Sequence, residues 1–343
     1  MLWRRLTNAI IEKTLLFKNG AVMKVTSTAG AETTLDMAEL AALQDIAAAD
    51  LAKIDGITNG TAAAGKALVL DADKKIGDLA QINVLGAGAV ATNQALGSTA
   101  LDSNTTGARN TAVGIGTLTT NTSQADNTAV GHNALTVSAA AGNTAVGSGA
   151  LDANVAGTRN VAVGLDAGGA QAAATDNDNV FVGHNAGLLA NGSASGGNVV
   201  VGSTAFNAAT TAINCTVVGF NAAGADVTGD DVTAIGKDAL AASTAAGNVA
   251  VGARALDANV AGVRNVAVGL DAGGAAAAAT DNDNVFIGHN AGLLANGSAS
   301  GGNTIVGSTA FNAATTAIDC TAVGFNAAGA NVTGADIVAV GKD

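Results

Sequence analysis

The sequence has few of the residues that fill a broad core or build an active site. Its 343 residues include no proline and no tyrosine, one tryptophan, two cysteines and three histidines. So few large side chains exclude a thick globular core and favour thin, closely spaced layers. Because proline cannot donate to a strand ladder, its absence suits a backbone that is committed to sheet hydrogen bonds.

Basic residues are also scarce. Lys and Arg number 15 against 27 Asp and Glu, which gives a net charge of -12. With no basic stripe and almost no aromatic residues, the chain has no means of following phosphates or stacking on bases, and we expect no nucleic-acid partner. The negative charge instead suits a long particle that must stay soluble.

Long hydrophobic runs are missing as well. No stretch approaches the ~18 uncharged apolar residues of a membrane span, and the first residues have no apolar core of a signal peptide. We therefore expect no membrane insertion and no Sec export.

What the chain does contain is a short repeat, usually Asn-x-Ala-Val-Gly. Its final glycine, called here the marker glycine, recurs in steps of 16, 17 or 19 residues. A unit this short cannot bury a core alone, so the repeat predicts an all-β solenoid in which coils stack on their neighbours. The marker glycines are at positions 97, 114, 131, 147, 164, 183, 202, 219, 236, 252, 269, 288, 307, 324 and 341.

A longer period lies over the short one. Gly147 and Gly252 are 105 residues apart, and the text of residues 142–238 recurs almost letter for letter from Gly247 to the end. A cassette of six coils has thus been duplicated. Only an additive architecture tolerates such an insertion easily, whereas a compact catalytic domain would not.

Each repeat is interpreted as a strand that is apolar on both sides. The first residue before the marker glycine is Val, Ile or Leu, the third is mostly Thr or Val, and the second is Ala in ten of fifteen copies. Since successive side chains alternate, we assign the valine side, with Val113, Val130 and Val146, to the chain's own core.

The alanine side then needs a partner, and the sequence predicts that sister chains cover it in a homotrimer. The bulkier members of the set suggest that the trimer axis widens at their level. The trimer-interface candidates are Ala112, Ala129, Ala145, Ala162, Phe181, Val200, Val217, Ala234, Ala250, Ala267, Phe286, Ile305, Ala322 and Ala339.

The fourth residue before the marker glycine is Asn in eleven copies. Its side chain is expected to bond the turn of its own coil and the Asn of the adjacent coil. Cys215 and Cys320 replace Asn in this position. At ~4.8 Å per coil they would be ~29 Å apart, too far for a disulfide. We interpret them as small buried hydrophobes, the alternative being cysteines that meet their symmetry mates across an oligomer axis.

No constellation of residues predicts catalysis or a cofactor. His132, His184 and His289 are three or more coils apart, so they cannot form one cluster within a chain. The acidic loops contain candidate Ca²⁺ ligands, Asp176, Asp178, Asp281 and Asp283, for which solvated turn residues are the other interpretation. We expect a protein that is not an enzyme.

The repeat phrases Asn127-Thr-Ala-Val-Gly-His-Asn-Ala-Leu135 and Asn143-Thr-Ala-Val-Gly-Ser-Gly-Ala-Leu151 resemble the head repeats of YadA-type trimeric adhesins. The resemblance covers about residues 93–343 and implies a left-handed parallel β-roll with three chains side by side. Most repeats here are longer than the shortest of that family. Its coiled-coil stalk and membrane β-barrel segment are absent from this sequence.

The N-terminal part is similar to another family. The Ala-Glu-Leu-containing segment 37–46, followed by segments 50–58 and 65–77, resembles the linker of many tailed-phage fibre and virion proteins. This implies a linker or adaptor region over residues 35–85 and a β-roll shaft over residues 86–343.

Residues 1–34 are then expected to be an attachment segment, a small mixed α/β region that contacts other virion proteins. Apolar residues at helical spacing predict an amphipathic helix, and alternation over residues 22–28 predicts a strand. The helix could instead form a local bundle among three fibre chains. The particle-anchor candidates are Trp3, Leu6, Ile10 and Phe17.

Together these features predict a structural component of a phage virion: a trimeric fibre, with a tail fibre as first choice, that contributes to attachment at a host-surface receptor. A head-attached or decoration fibre on the capsid surface is the alternative location. The alternatives in other classes are the head of a bacterial trimeric autotransporter-type adhesin and a hydrolytic tailspike.

Overall fold

The structure is a computed structural model that divides into two compact units, residues 1–82 and 83–343. It describes the backbone of residues 23–26 and 32–35. It also describes residue 90 and residues 92–169, 177–189, 196–225, 228–274, 282–293, 301–313, 318–329 and 334–342.

The described residues of the first unit form an antiparallel pair of strands. Strand β1 (Met23–Thr26) pairs with β2 (Glu32–Leu35), with Met23 opposite Leu35. Strand β1 lies in the stretch where alternation predicts a strand, and the hairpin spans the boundary expected at residue 34. The predicted N-terminal helix and its anchor candidates lie outside the described residues.

The second unit is a single parallel sheet of fifteen three-residue strands in sequence order. This confirms the predicted all-β solenoid, and the described residues include no helix. The strands are β3 (Gln94–Leu96), β4 (Thr111–Val113), β5 (Thr128–Val130), β6 (Thr144–Val146), β7 (Val161–Val163), β8 (Val180–Val182), β9 (Val199–Val201), β10 (Thr216–Val218), β11 (Thr233–Ile235), β12 (Val249–Val251), β13 (Val266–Val268), β14 (Val285–Ile287), β15 (Thr304–Val306), β16 (Thr321–Val323) and β17 (Val338–Val340).

The sheet is in strict register, so equivalent residues of successive coils form columns. In β4 and β5, for example, Thr111 lies opposite Thr128 and Val113 opposite Val130. The same pairing holds where a coil is longer, as between β7 and β8. Extra residues therefore go into the loops and leave the columns unbroken.

The marker glycines form one such column at the corner after each strand. Gly147 has a φ of +140°, a backbone conformation that residues other than glycine rarely adopt. A Cβ at Gly147 would also lie 2.6 Å from the carbonyl carbon of Gly164 in the next coil. The repeat keeps glycine here because the coils approach each other through their backbones.

In many coils the core is formed by alanine on the strand and leucine on the opposite limb. Ala112, Ala129 and Ala145 are completely buried, and so are Leu118 and Leu135, which lie four residues after marker glycines. The prediction that the valine side fills the chain's own core is therefore wrong. In these two coils the returning leucine fills the interior opposite the strand, and a small inward residue such as alanine fits beside it.

The whole set of trimer-interface candidates points inward for this reason. Ala112, Ala129, Ala145, Ala162, Phe181, Val200, Val217, Ala234, Ala250, Ala267, Phe286, Ile305 and Ala322 are all 0–1% exposed within the single chain. Ala339, in the last strand of the sheet, is half-buried and packs against the same core. These side chains are not available to a sister chain.

The two bulkiest inward residues, Phe181 and Phe286, are matched by glycine across the coil, and the bulky members of the set do not mark a wider trimer axis because they point into the core. Phe181 is fully buried, and Gly168 and Gly187 take the place of leucine around its ring. The duplicated cassette repeats this arrangement with Phe286, Gly273 and Gly292. In the coils of Phe181 and Phe286 a large-small pair thus replaces the small-large pair of alanine and leucine.

Candidate functional surface

The side of the sheet that faces away from the core is uncovered, and it combines an unbroken aliphatic row with a second row made mostly of Thr and Val. We call it the outward face, and it consists of the first and third residues before each marker glycine. Its members are half-buried or exposed, as in Val146 at 37%, Val163 at 38% and Val199 at 40%. Fifteen strands at ~4.8 Å spacing, each ~10 Å long, give a continuous stripe of about 700 Å².

A second column of exposed residues flanks the outward face. It is formed by the residue directly after each marker glycine, two positions beyond the last outward side chain. Ile115, Leu165, Phe220, Leu270 and Phe325 in this column are 42–58% exposed. We call it the flanking column.

The flanking column changes its chemistry in a fixed order of three coils: a small residue, a large apolar residue, then His or Lys. This order is not among the features predicted from the sequence, although aligning the repeats on the marker glycines reveals it. The column reads Ser98, Ile115, His132, Ser148, Leu165, His184, Ser203, Phe220, Lys237, Ala253, Leu270, His289, Ser308, Phe325, Lys342.

Neighbouring members of the flanking column interact where the order ends in lysine. The Nζ atom of Lys237 lies 5.9 Å from the centre of the Phe220 ring, and Lys342 lies 5.8 Å from that of Phe325. Lys237 also forms an ion pair with Asp238. The cation–π geometry holds each lysine against the apolar row before it.

The three histidines, which the sequence predicts to be too far apart to form one cluster, also lie in this column. His132, His184 and His289 are exposed, each two coils after a small residue of the column. Among the residues that the structure describes, no group of three or more His, Cys, Asp or Glu side chains could hold a metal ion.

The fifth residue before the marker glycine forms a third column, in which Arg and Asp of adjacent coils pair at several levels. Arg109 donates to Asp126 one coil further on, with Nε–Oδ1 at 2.6 Å and Nη2–Oδ2 at 2.7 Å. Arg159 and Asp178 form the same bidentate pair at 2.6 and 2.8 Å. This column also has a three-coil order, in which residues 109, 126 and 142 are Arg, Asp and Gly, and residues 159, 178 and 197 repeat that order.

The calcium candidates belong partly to this column. Both carboxylate oxygens of Asp178 accept hydrogen bonds from Arg159, and those of Asp283 accept them from Arg264. The hydrogen bond from Arg159 lowers the pKa of the Asp178 carboxyl. Asp176 and Asp281 lie outside the described residues. Of the four candidates, Asp178 and Asp283 therefore have arginine as the partner of both carboxylate oxygens.

A carboxylate pair in the first cassette differs from its copy in the second. Burial and then the charge of Asp166 raise the pKa of Asp152. Burial and the charge of Asp271 also raise the pKa of the equivalent Asp257, but there the positive charge of Arg254 lowers it. Arg254 occupies the place of Gly149.

Replacing Asp152 with Asn is expected to stabilise the protein at neutral pH. A pKa that is higher in the folded than in the unfolded chain means that stability is lost as pH rises through the folded pKa. D152N removes that loss, so thermal melts should show a gain of a few tenths of a kcal/mol at pH 7, as befits a half-exposed group. The gain should vanish below the unfolded pKa of ~3.9.

The matched control for this prediction is Asp257→Asn. Because Arg254 already offsets part of the effect on Asp257, D257N should gain less at pH 7 than D152N. Equal gains in the two cassettes, or a gain for D152N that persists at pH 3, would contradict the assignment.

Inside the corner, the asparagines form the predicted ladder. The backbone N–H of Asn143 donates to Asn127 Oδ1 at 2.9 Å, and the N–H of Asn160 donates to Asn143 Oδ1 at 2.9 Å. The side-chain amide of Asn143 donates to the carbonyl oxygen of Gly157 at 2.9 Å. These side chains are completely buried, so their bonds satisfy the polar groups of the corner.

Cys215 and Cys320 continue this ladder with a thiol. Cys215 is fully buried and free, and its N–H donates to Asn198 Oδ1 at 2.9 Å. Its Sγ atom lies 3.7 Å from the carbonyl oxygen of Gly229, the partner that an asparagine amide would have. Burial raises the pKa of the Cys215 thiol to about 11. Both cysteines are buried in the chain's own core.

Cys215→Asn is expected to extend the ladder, because its amide would donate to Gly229 and its Oδ1 would accept the N–H of Val232, which now bonds the thiol. Unfolding experiments should show C215N at least as stable as the parent. Cys215→Ala, which supplies neither bond, should lose about 1–2 kcal/mol. If C215N lost as much as C215A, the equivalence of the two positions would be wrong.

These features place the second unit in the class of repetitive parallel β-solenoids. Comparison with known proteins adds no closer assignment, since no family model matches the chain and no curated protein or solved structure is significantly similar to it. Within the described residues, no helix is long and apolar enough to cross a membrane.

Proposed function

We propose that the protein is a structural, non-enzymatic component of a virion: a homotrimeric fibre, most simply a tail fibre, that contributes to host-surface attachment. The observation that carries the self-association is the uncovered apolar stripe on the outward face. Three copies rather than two, and the left-handed β-roll, follow from the resemblance to YadA-type heads. The virion assignment rests on the phage-like linker over residues 35–85.

The size of the outward face supports association of whole copies. Monomeric proteins rarely expose contiguous apolar patches larger than a few hundred Å². Stable protein interfaces bury about 800 Å² on each partner, close to the area of this stripe. Its length and flatness suit another rod of the same length better than a small ligand.

The mass in solution tests the self-association. Light scattering should give about three times the chain mass of 32.6 kDa. Replacing Val146 and Val163 with Asp should shift the protein toward the monomer, because each trimer would then bury several unpaired charges. A monomeric parent protein would refute the self-association.

A matched control uses exposed valines and leucines that lie away from the outward face. Val155 and Leu189 are 40% and 45% exposed, as much as the outward valines, but they lie in the loops. Val155→Asp with Leu189→Asp should leave the mass unchanged. Loss of association in this control as well would point to general destabilisation.

Assembly into particles tests the virion assignment separately. Deleting residues 1–34 should abolish incorporation into virions, while the remaining chain keeps the circular dichroism spectrum of the solenoid and its oligomeric state. Labelling of the full-length protein on purified particles should place it on the tail; a signal on the capsid would favour the head-fibre alternative. Absence from particles would refute the virion role and leave the self-association untouched.

A further inference from the structure

The outward face by itself cannot set the axial position of one copy against another. Almost every coil presents the same pair, Thr or Val followed by an aliphatic residue, at a constant rise of ~4.8 Å. A slip by one coil replaces each contact with an equivalent one and loses only one coil of overlap. Uniform surfaces of this kind specify their register weakly.

The flanking column does distinguish the coils. Ser148, Leu165 and His184 lie in three consecutive coils and differ in size and polarity, and the same order holds before and after them. Only a slip of three coils restores the match of small, apolar and basic rows. Such a slip also leaves three of the fifteen strands uncovered at each end.

We propose, building on the self-association above, that the flanking column fixes the register in which copies of this chain associate, parallel and coil for coil. A slip of one coil brings the apolar row of one copy to the level of the basic row of the next. The His side chain is then covered by Leu or Phe and loses its water without gaining a partner, and a Lys side chain also loses water. When the copies are in register, the His or Lys of one copy lies level with the His or Lys of the next, at the edge of the interface, where water still reaches both.

The lysine rows tolerate this arrangement because their charge is already compensated within the chain. Lys237 is paired with Asp238 and lies over Phe220. The small rows leave room beside the large ones, since a Leu or Phe side chain is larger than the ~4.8 Å rise of a single coil. The column thus opposes wrong registers in addition to supporting the right one.

Disulfide trapping between copies tests the register. One tagged chain carries Val163→Cys, and a second, differently tagged chain carries a single cysteine on the outward face of one of the coils from β5 to β9. The native thiols are fully buried and do not interfere. After co-expression and mild oxidation, cross-linking should be at least tenfold greater for the cysteine in the same coil, β7, than for any other.

A variant with a uniform flanking column shows whether this column is the cause. It carries serine in place of every large or basic member of the column, Ile115, His132, Leu165, His184, Phe220, Lys237, Leu270, His289, Phe325 and Lys342. Its mass should remain that of the oligomer, but cross-linking should spread over neighbouring coils. The matched control places serine at Val137, Val155, Leu189 and Val260, which are as exposed but lie in the loops, and it should keep the single peak.

The outcomes separate this proposal from the previous one. A monomer without cross-links overturns the self-association and the register together. An oligomer in which the parent cross-links equally at several coils overturns the register alone. So does a single peak at another coil, or a single peak that survives in the uniform variant.

Discussion

Phe181→Ala is expected to lower the free energy of unfolding by about 3–5 kcal/mol. The ring is completely buried, and the glycines that surround it, Gly168 and Gly187, have no side chains that could close the cavity. Thermal or denaturant unfolding followed by circular dichroism would measure the loss. The duplicate, Phe286→Ala, should lose a similar amount, because Gly273 and Gly292 surround it in the same way.

A substitution at Gly187 tests whether the sizes of residues 181 and 187 compensate each other. Gly187→Leu alone should be strongly destabilising, because its Cβ would meet the Phe181 ring. Combined with Phe181→Ala it recreates the alanine-leucine pair of the other coils, where leucine already adopts a positive φ, as Leu135 does at 50°. We expect the double variant to recover at least half of the loss. A double variant as unstable as the sum of the two singles would contradict the exchange of volumes.

Gly147→Ala is expected to cost more than 3 kcal/mol or prevent folding of the solenoid. Two effects combine here: a φ of +140°, and a Cβ that would overlap the peptide of Gly164. Neither backbone can move away without breaking the ladder between two coils. Unfolding curves of purified variants would measure the effect.

Gly341→Ala separates these two effects. Gly341 has a φ of +128°, but a Cβ there meets nothing within 4 Å. This variant should therefore show only the backbone strain, about 1–3 kcal/mol. If the two variants were equally unstable, close approach of the coils would not be the reason for the glycine column.

Several features of the fold follow directly from the repeat. The spacing of the marker glycines predicts the fifteen parallel strands, and the recurrence of asparagine predicts the ladder that satisfies the corner. Both predictions succeed because they depend on identity at fixed intervals, which stacking converts into columns. The order of the flanking column could be predicted in the same way, since it too depends on residue identity at one fixed position in each repeat.

The side of the strand that faces the core could not be predicted from the repeat. Ala112 and Val113 are both apolar, so alternation defines two sides but does not say which is inside. The larger side chain is the natural choice for a core, and that choice is wrong here. Leu118, on the returning limb of the coil, takes the space that valine would need.

The sequence alone therefore determined the period, the number of coils and their register, because these are set by backbone pairing between copies of one motif. Only the tertiary structure decided what each side chain faces. A coil's interior is shared by two limbs, and the volume that one limb supplies limits what the other can place there. That shared volume puts alanine inside and leaves valine on the outward face, which is where the proposed partner binds.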